Sequence, residues 1–319
     1  VIPLYMSKRS APSVIQQWFS NPRQDLLSGL VVAFAMIPEA IAFSGIAGVD
    51  PQVGLFGAFC LSITIAVVGG RMAMITSATG STALLMTGLV ATGNGLGEGL
   101  GLSYLMAAGV LTGLFQILWG YLRLAYQMRF VPQAVLSGFV NALALLILQA
   151  QLPQLGLNLH YGQDIALEHG TQILPHGGQI PLVLLLVLLG LAIIYGLPKI
   201  TQLIPSQLVA IVALTIICIG FNLDIPTVKD LGDLPNGLPS FDSPFGSPDL
   251  GKVPFNLETF GLILPTSLAI SLVGLMETFL TQDILDDITN TNSNKNIEAR
   301  GQGIANLITS FFGGMAGCA

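Results

Sequence analysis

Two glutamates stand where lipid should be: Glu39 and Glu277 each lie deep inside a long apolar stretch. A charged side chain at the centre of a bilayer costs about 2.5–3.5 kcal/mol on insertion scales, so such a residue is a functional candidate. Their surroundings differ. Ser271, Gly274, Thr278 and Thr281 recur at three- and four-residue steps, which sets Glu277 beside a helix face of hydroxyls and small side chains. That composition suits a coupling site taking up H+ or Na+, with a purely structural glutamate as the alternative. Glu39 has Val32, Met36 and Phe43 along its face and is open to either reading.

A second constellation is Thr76-Ser77-Ala78-Thr79-Gly80-Ser81-Thr82, preceded by the extended-looking Arg71–Ile75. The apolar run that follows, Ala83–Ala91, would span roughly 13 Å as a helix, about half the hydrocarbon core. The pattern predicts a half-helix whose N-terminus, with free N–H groups and clustered hydroxyls, sits near the midplane as an anion site. The alternative is that Ser, Thr and Gly here serve close helix packing, as Gly109 and Gly113 do further on. One helix terminus offers up to about 2 kcal/mol, against on the order of 20 kcal/mol for moving an ion into low dielectric. A second donor or partial hydration is therefore required, and a second broken helix is expected just after Gly313-Gly314.

Internal similarity supports that expectation. Ile37-Pro38-Glu39-Ala40-Ile41-Ala42-Phe43 can be laid over Leu275-Met276-Glu277-Thr278-Phe279-Leu280-Thr281, glutamate on glutamate. Likewise Val68-Gly69-Gly70-Arg71 resembles Phe312-Gly313-Gly314-Met315. Seven predicted spans separate the copies, so the second enters the membrane from the other side, as in secondary transporters built on inverted repeats.

The elements holding these residues must be membrane helices. Of 319 residues, 52% are hydrophobic and only 9% charged, where a soluble domain has about a quarter charged. At about 20 apolar residues per helix, spans fall at about 26–47, 53–70, 72–92, 102–122, 134–152, 180–197, 205–221 and 260–280, with a weaker, more polar one at 297–312. With the N-terminus cytoplasmic, Lys8, Arg9, Arg23, Arg71, Arg123, Arg129, Lys199, Lys295 and Arg300 all fall inside, leaving only Lys229 and Lys252 outside. That is the positive-inside bias of a multi-pass cell-membrane protein.

Other chemistries fare poorly. His160, His169 and His176, near Asp164 and Glu168, lie in an outer loop at spacings that match no helical ligand pair, so no metal is expected. Cys60, Cys218 and Cys318 show no CxxC pattern and read as small buried thiols. Gly246–Val253 resembles a nucleotide-binding loop but ends in Val where Ser or Thr is required. The spans contain no His, no Asp pair and no His-Glu-x-x-His, so an enzyme is not indicated. The net charge of −6 says little about partners, since in a membrane protein the distribution of charge among loops carries the information, and nucleic acid is not an expected partner of a chain mostly in lipid.

Taken together, Ile37–Phe43, Gly69-Gly70, Ser77-Ala78-Thr79-Gly80, Gly301-Gln302-Gly303-Ile304-Ala305-Asn306 and Phe311-Phe312-Gly313-Gly314 resemble the SulP (sulfate permease) family of anion transporters, which includes bacterial bicarbonate transporters and prestin-like carriers. The resemblance implies an all-α integral membrane fold, a seven-plus-seven inverted repeat with core and gate domains. Transport would be secondary active and by alternating access, coupled to H+ or Na+ with no other cofactor, with the complete protein a homodimer. A passive channel, an exchanger or a dicarboxylate transporter on the same fold is the alternative.

On that scheme residues 1–25 are a cytoplasmic segment, 26–222 the first repeat, 223–259 an extracellular loop and 260–319 the start of the second repeat. The tenth helix and the usual STAS domain would lie beyond this sequence. Ser77, Ala78, Thr79, Gly80 and Ser81 would face a small inorganic anion of the sulfate or bicarbonate class. Glu39 and Phe43 would line the site from the first helix, and Glu277 with Thr281 would hold the coupling ion. Many members carry Gln at the position of Glu39 and Gly-Pro at that of Gly80-Ser81.

Overall fold

The computed structural model describes residues 21–97, 99–123, 133–152, 155, 178–201, 205–247 and 250–319. His160, His169 and His176, with Asp164 and Glu168, and the basic residues Lys8, Arg9 and Arg129 fall outside them. The described residues form α1 (Pro22–Ala47), α2 (Pro51–Val68), α3 (Gly80–Leu96), α4 (Leu100–Tyr121) and α5 (Gln133–Gln151). They continue with α6 (Ile180–Gly196), α7 (Ser206–Gly220), α8 (Leu257–Thr289) and α9 (Lys295–Phe311).

Local chemistry sets the helix ends. Pro22 and Pro51 open α1 and α2, where a missing N–H has no intrahelical partner to lose. The side chain of Asn256 accepts from the N–H of Thr259 at 2.8 Å to cap α8. Asn294 does the same for α9, accepting from Asn296 at 3.1 Å and Ile297 at 3.2 Å. Asn290 ends α8 in the left-handed region, with φ 51°, which Asn tolerates better than most residues. Among the described residues five helical stretches are long and apolar enough to cross a membrane, Pro22–Ala47, Pro51–Val68, Leu100–Tyr121, Ile180–Lys199 and Leu257–Thr289, with shorter apolar helices at Ser137–Gln151 and Ser206–Gly220. The chain is a multi-pass membrane protein.

Two expected spans are redrawn. The third starts at Gly80, not 72, because residues 71–79 run as non-helical chain. It also continues past Ala91 to Leu96, so its 17 residues reach about 25 Å, nearly twice the length of the apolar run. The eighth runs on to Thr289, since Asp283 and Asp286 in its last turns are matched by Lys295 at 2.5 Å and Arg71 at 3.3 Å. No tenth helix begins after Gly313-Gly314 within the described residues; Met315–Ala319 is extended.

α4 is central, packing on α9, α8 and α3, and α9 also lies along α2. Gly109 and Gly113 of α4 face Ser310, Gly303 and Leu307 at distances that admit no larger side chain, the close packing expected of them. α1 closes the group against α2 and α3, whereas α6 and α7 pack mainly on each other and reach the rest through α1. The core at the centre of the larger group joins Ile46, Val53, Ala78, Met86, Leu105, Ile270 and Met315.

The ends of the helices sort into two layers. Arg71 after α2, Tyr121 at the end of α4, the last turns of α8 and Arg300 in the first turns of α9 meet at one end. At the other, the 222–256 loop covers the start of α2, through Gln52 N–H on Asp233 O at 3.1 Å, and the end of α9, through Asp242 N–H on Phe311 O at 2.7 Å. The stretch that resembled a nucleotide loop is a turn in this cover. Its Val253 is buried and pairs with Phe245, Lys252 forms an ion pair with Asp242, and Ser103 donates to Gly251 O at 2.6 Å.

Asp50, at the entry to α2, sits under this loop. Partial burial, and then the Asp233 carboxylate, raise its carboxyl above the ordinary Asp range, with a hydrogen bond from the Asp233 backbone pulling the other way. A raised folded-state value means that ionisation works against folding. The penalty is present above the folded value and disappears as pH falls through it toward the unfolded one. Asp50→Asn should therefore raise the thermal midpoint at neutral pH, with the gain shrinking as pH is lowered; a melting series in detergent checks this.

Candidate functional site

The site forms where two non-helical segments cross. After Gly69-Gly70 the chain turns back into the bundle, and both ends of the 70–77 segment are tied down. Glu298 accepts the Gly70 N–H at 2.7 Å. Arg71 donates to Leu285 O at 3.2 Å and Thr289 Oγ1 at 2.6 Å. Thr76 Oγ1 accepts from Gln302 Nε2 at 2.6 Å, and Thr76 O accepts from Ser62 at 3.2 Å. The segment after α9 then pairs antiparallel with this one, Ser77 N–H on Cys318 O at 3.1 Å and Cys318 N–H on Ser77 O at 3.0 Å.

From this anchored segment α3 begins. Thr79 is its N-cap, in extended conformation. Thr82 Oγ1 accepts from the Thr79 N–H at 3.3 Å and donates to Thr79 O at 3.0 Å. The first intrahelical bond is Ala83 N–H on Thr79 O, at 3.0 Å. Gly80 and Ser81 therefore have no acceptor for their N–H groups within the helix, and the positive end of its dipole faces the crossing.

Glu277 of α8 reaches this end. Its Oε2 accepts from Ser81 Oγ at 2.6 Å, from Cys318 Sγ at 2.8 Å and, at the long limit, from Thr79 Oγ1 at 3.4 Å. Thr79 Oγ1 lies 3.0 Å from Ser81 Oγ and 3.2 Å from Cys318 Sγ. One carboxylate, two hydroxyls, a thiol and a helix N-terminus thus share one point, contributed by α3, α8 and the segment after α9.

Each expected site residue has a definite place around that point. Thr79 and Glu277 are half-buried, Ser81 and Gly80 buried behind them. Ala78 is packed in the core, and the Ser77 backbone is committed to Cys318. Phe43 stands against Gly80, where an added methyl would meet its ring at 3.1 Å and Ile147 of α5 at 2.6 Å. Glu39, one turn before Phe43, is exposed and has no hydrogen bond or ion pair among the described residues. Thr281 donates to Ala319 O at 3.2 Å, and Ala319 N–H to Thr278 Oγ1 at 3.2 Å, so α8 also holds the far end of the second segment.

Sequence reading missed four participants. Cys318 is the buried free thiol expected of it, as is Cys60, but its sulfur also reaches Glu277; Cys218 is only partly covered. Glu298, Gln302 and Asn306 are fully buried on α9, so Glu298 lies deeper than half-buried Glu277 or exposed Glu39. Their spacing of four is the signal: three polar residues on one face of a helix otherwise lined with Gly and Ala.

Comparison with known proteins decides the family. The model of the Sulfate permease family matches residues 23–319. The chain belongs to the sulfate permease family. It is 48% identical to YbaR of Bacillus subtilis (strain 168) over 305 residues, covering 95% of this chain and 56% of YbaR. To the bicarbonate transporter BicA of Picosynechococcus sp. it is 32% identical over 306 residues, covering 94% and 52%. The chain spans about half the length of these curated relatives. Its fold matches the transmembrane domain of a cyanobacterial bicarbonate transporter BicA with a TM-score of 0.76 at 28% identity, over 94% of this chain and 74% of that one. Sulfate permease membership places the chain among transporters rather than enzymes, as its motifs implied.

Proposed function

We propose that the full-length protein is a secondary active transporter of a small inorganic oxyanion of the sulfate or bicarbonate class, coupled to H+ or Na+. The observation that carries this is Glu277 seated on the hydroxyls of Thr79 and Ser81 at the N-terminus of α3. An anion held by the free N–H groups and hydroxyls of that terminus would lie within a few ångströms of the carboxylate. Two like charges 4 Å apart repel by about 4 kcal/mol at an effective dielectric of 20. Anion binding therefore requires Glu277 to be neutralised by a proton or paired with a cation.

The hydroxyl inventory points the same way. Each hydroxyl has one hydrogen, and at 2.6 Å Ser81 gives its own to Glu277. A proton or Na+ on Glu277 removes the need for that donation, and Ser81 and Thr79 can then turn their hydrogens toward the anion. Cation and anion then favour each other's binding, which is the thermodynamic content of symport.

The broader architecture follows the same proposal. The two crossing segments, each following a Gly-Gly pair, support an inverted repeat over 26–222 and 260–319. The separation of the α1–α4, α8 and α9 group from α6 and α7 supports a core moving against a gate in alternating access. The end carrying Arg71, Arg300 and Lys295 would be cytoplasmic, as would the N-terminus, and the complete protein would be a homodimer.

Thr79→Val tests the site. In proteoliposomes, labelled sulfate and bicarbonate uptake should show a KM raised about tenfold, the value of roughly one charge-assisted hydrogen bond. An unchanged KM would move the anion elsewhere. Flux that neither saturates nor responds to an imposed pH or sodium gradient would mark a passive channel instead.

A further inference from the structure

The segment after α9 is gripped on both edges. In extended chain, successive residues point their N–H and C=O groups to opposite sides. Cys318 turns its pair to Ser77, and Gly317 turns its pair to the side chain of Asn306. Gly317 N–H donates to Asn306 Oδ1 at 2.8 Å and Asn306 Nδ2 donates to Gly317 O at 3.0 Å. The other Nδ2 hydrogen goes to Gln116 Oε1 of α4 at 2.8 Å. A primary amide presents a donor and an acceptor side by side, as a neighbouring strand would; Asp lacks the donor and Leu lacks both.

One turn earlier Gln302 reaches the other segment through its amide donor alone. Its Nε2 donates to Thr76 Oγ1 at 2.6 Å and to Glu298 Oε1 at 3.2 Å, and Glu298 in turn holds Gly70. All three side chains are fully buried. Four-residue steps along a rigid helix space them about 6 Å apart. α9 thus carries a ladder whose rungs fix residues 70, 76 and 317 relative to one another.

The geometry points to Asn306, seconded by Gln302, as a positioning residue for anion transport. By fixing the register of the two crossing segments it sets the distances among Thr79, Glu277 and Cys318, so that both halves of the site move as one body with α9. The inference rests on the anion reading of the α3 terminus.

The test compares Asn306→Leu, Asn306→Asp and Asn306→Gln with the parent full-length protein, and includes Gln302→Leu as a second route should the Asn306 variants not fold. Three quantities are read: amide hydrogen exchange over 71–79 and 312–319, the KM and maximal rate per folded transporter for labelled sulfate and bicarbonate, and the thermal midpoint. Losing two buried hydrogen bonds to Gly317 should speed exchange at Ser77 and Cys318 about tenfold or more and raise KM by a similar factor. Asp should be nearly as damaging as Leu, and Gln should recover part of the loss. A lowered thermal midpoint with parental exchange and KM overturns the positioning role and leaves a structural one. Exchange is measured without any anion, so faster exchange with unchanged KM, alongside an unaffected Thr79→Val, overturns instead the anion reading beneath the inference.

Discussion

Glu277→Gln will abolish gradient-driven anion uptake while leaving the protein folded. Gln fills the same volume, and its carbonyl can still accept from Ser81 and Cys318, which now meet Glu277 Oε2 at 2.6 and 2.8 Å. What it cannot do is change charge. In the parent, anion affinity should rise with the coupling cation, by up to about 10³-fold if the full repulsion of about 4 kcal/mol is relieved. In the variant that dependence should vanish, and passive exchange should be all that survives. The measurement is labelled sulfate and bicarbonate uptake into proteoliposomes under imposed pH and sodium gradients, with a thermal melt as the folding control. Uphill uptake by Glu277→Gln would end the assignment of Glu277 as the coupling site.

The second large effect is expected at a residue with no side chain. A Cβ placed on Gly317 would lie 1.9 Å from Ser77 O and 2.5 Å from Ser77 C. Both atoms belong to backbone that is itself tied to Cys318, so neither can step aside without opening the pairing. Overpacking of this kind costs typically 1–3 kcal/mol, and more where backbone must move. Gly317→Ala should lower the thermal midpoint by several degrees and remove measurable transport, because separating the segments draws Cys318 away from Glu277 and Thr79. Gly88→Ala on α3, where an added methyl meets nothing within 4 Å, is the control and should stay within about 1 kcal/mol of the parent. Full activity in Gly317→Ala would show that the crossing is not needed in this register.

Much of this was legible in the chain because lipid is a severe solvent. Backbone and charge must be satisfied inside the segment that enters it, so scarce charge isolated Glu277, and a hydroxyl run ahead of a short apolar stretch marked the start of α3. Periodicity was less informative about α8. Its apolar run ends near residue 280, but the helix continues to Thr289, where Arg71 from distant sequence and Lys295 from the start of α9 meet its acids. The 72–92 span began too early for the opposite reason: residues 72–79 are apolar enough to be counted into it, but the hydrogen bonds of Thr76 and Ser77 go to Gln302, Ser62 and Cys318.

By itself, then, the sequence determined that the chain lives in a membrane, roughly where its apolar helices fall, and that a carboxylate and a hydroxyl-capped helix terminus are its unusual chemistry. These follow from local composition and from the cost of polar groups in hydrocarbon. Only the tertiary structure decided that Glu277 meets Ser81 rather than Glu39, that Cys318 belongs to the site, and that Asn306 and Gln302 hold its two halves. Those are contacts between residues up to 239 positions apart, most of them reaching non-helical segments whose partners no periodicity encodes.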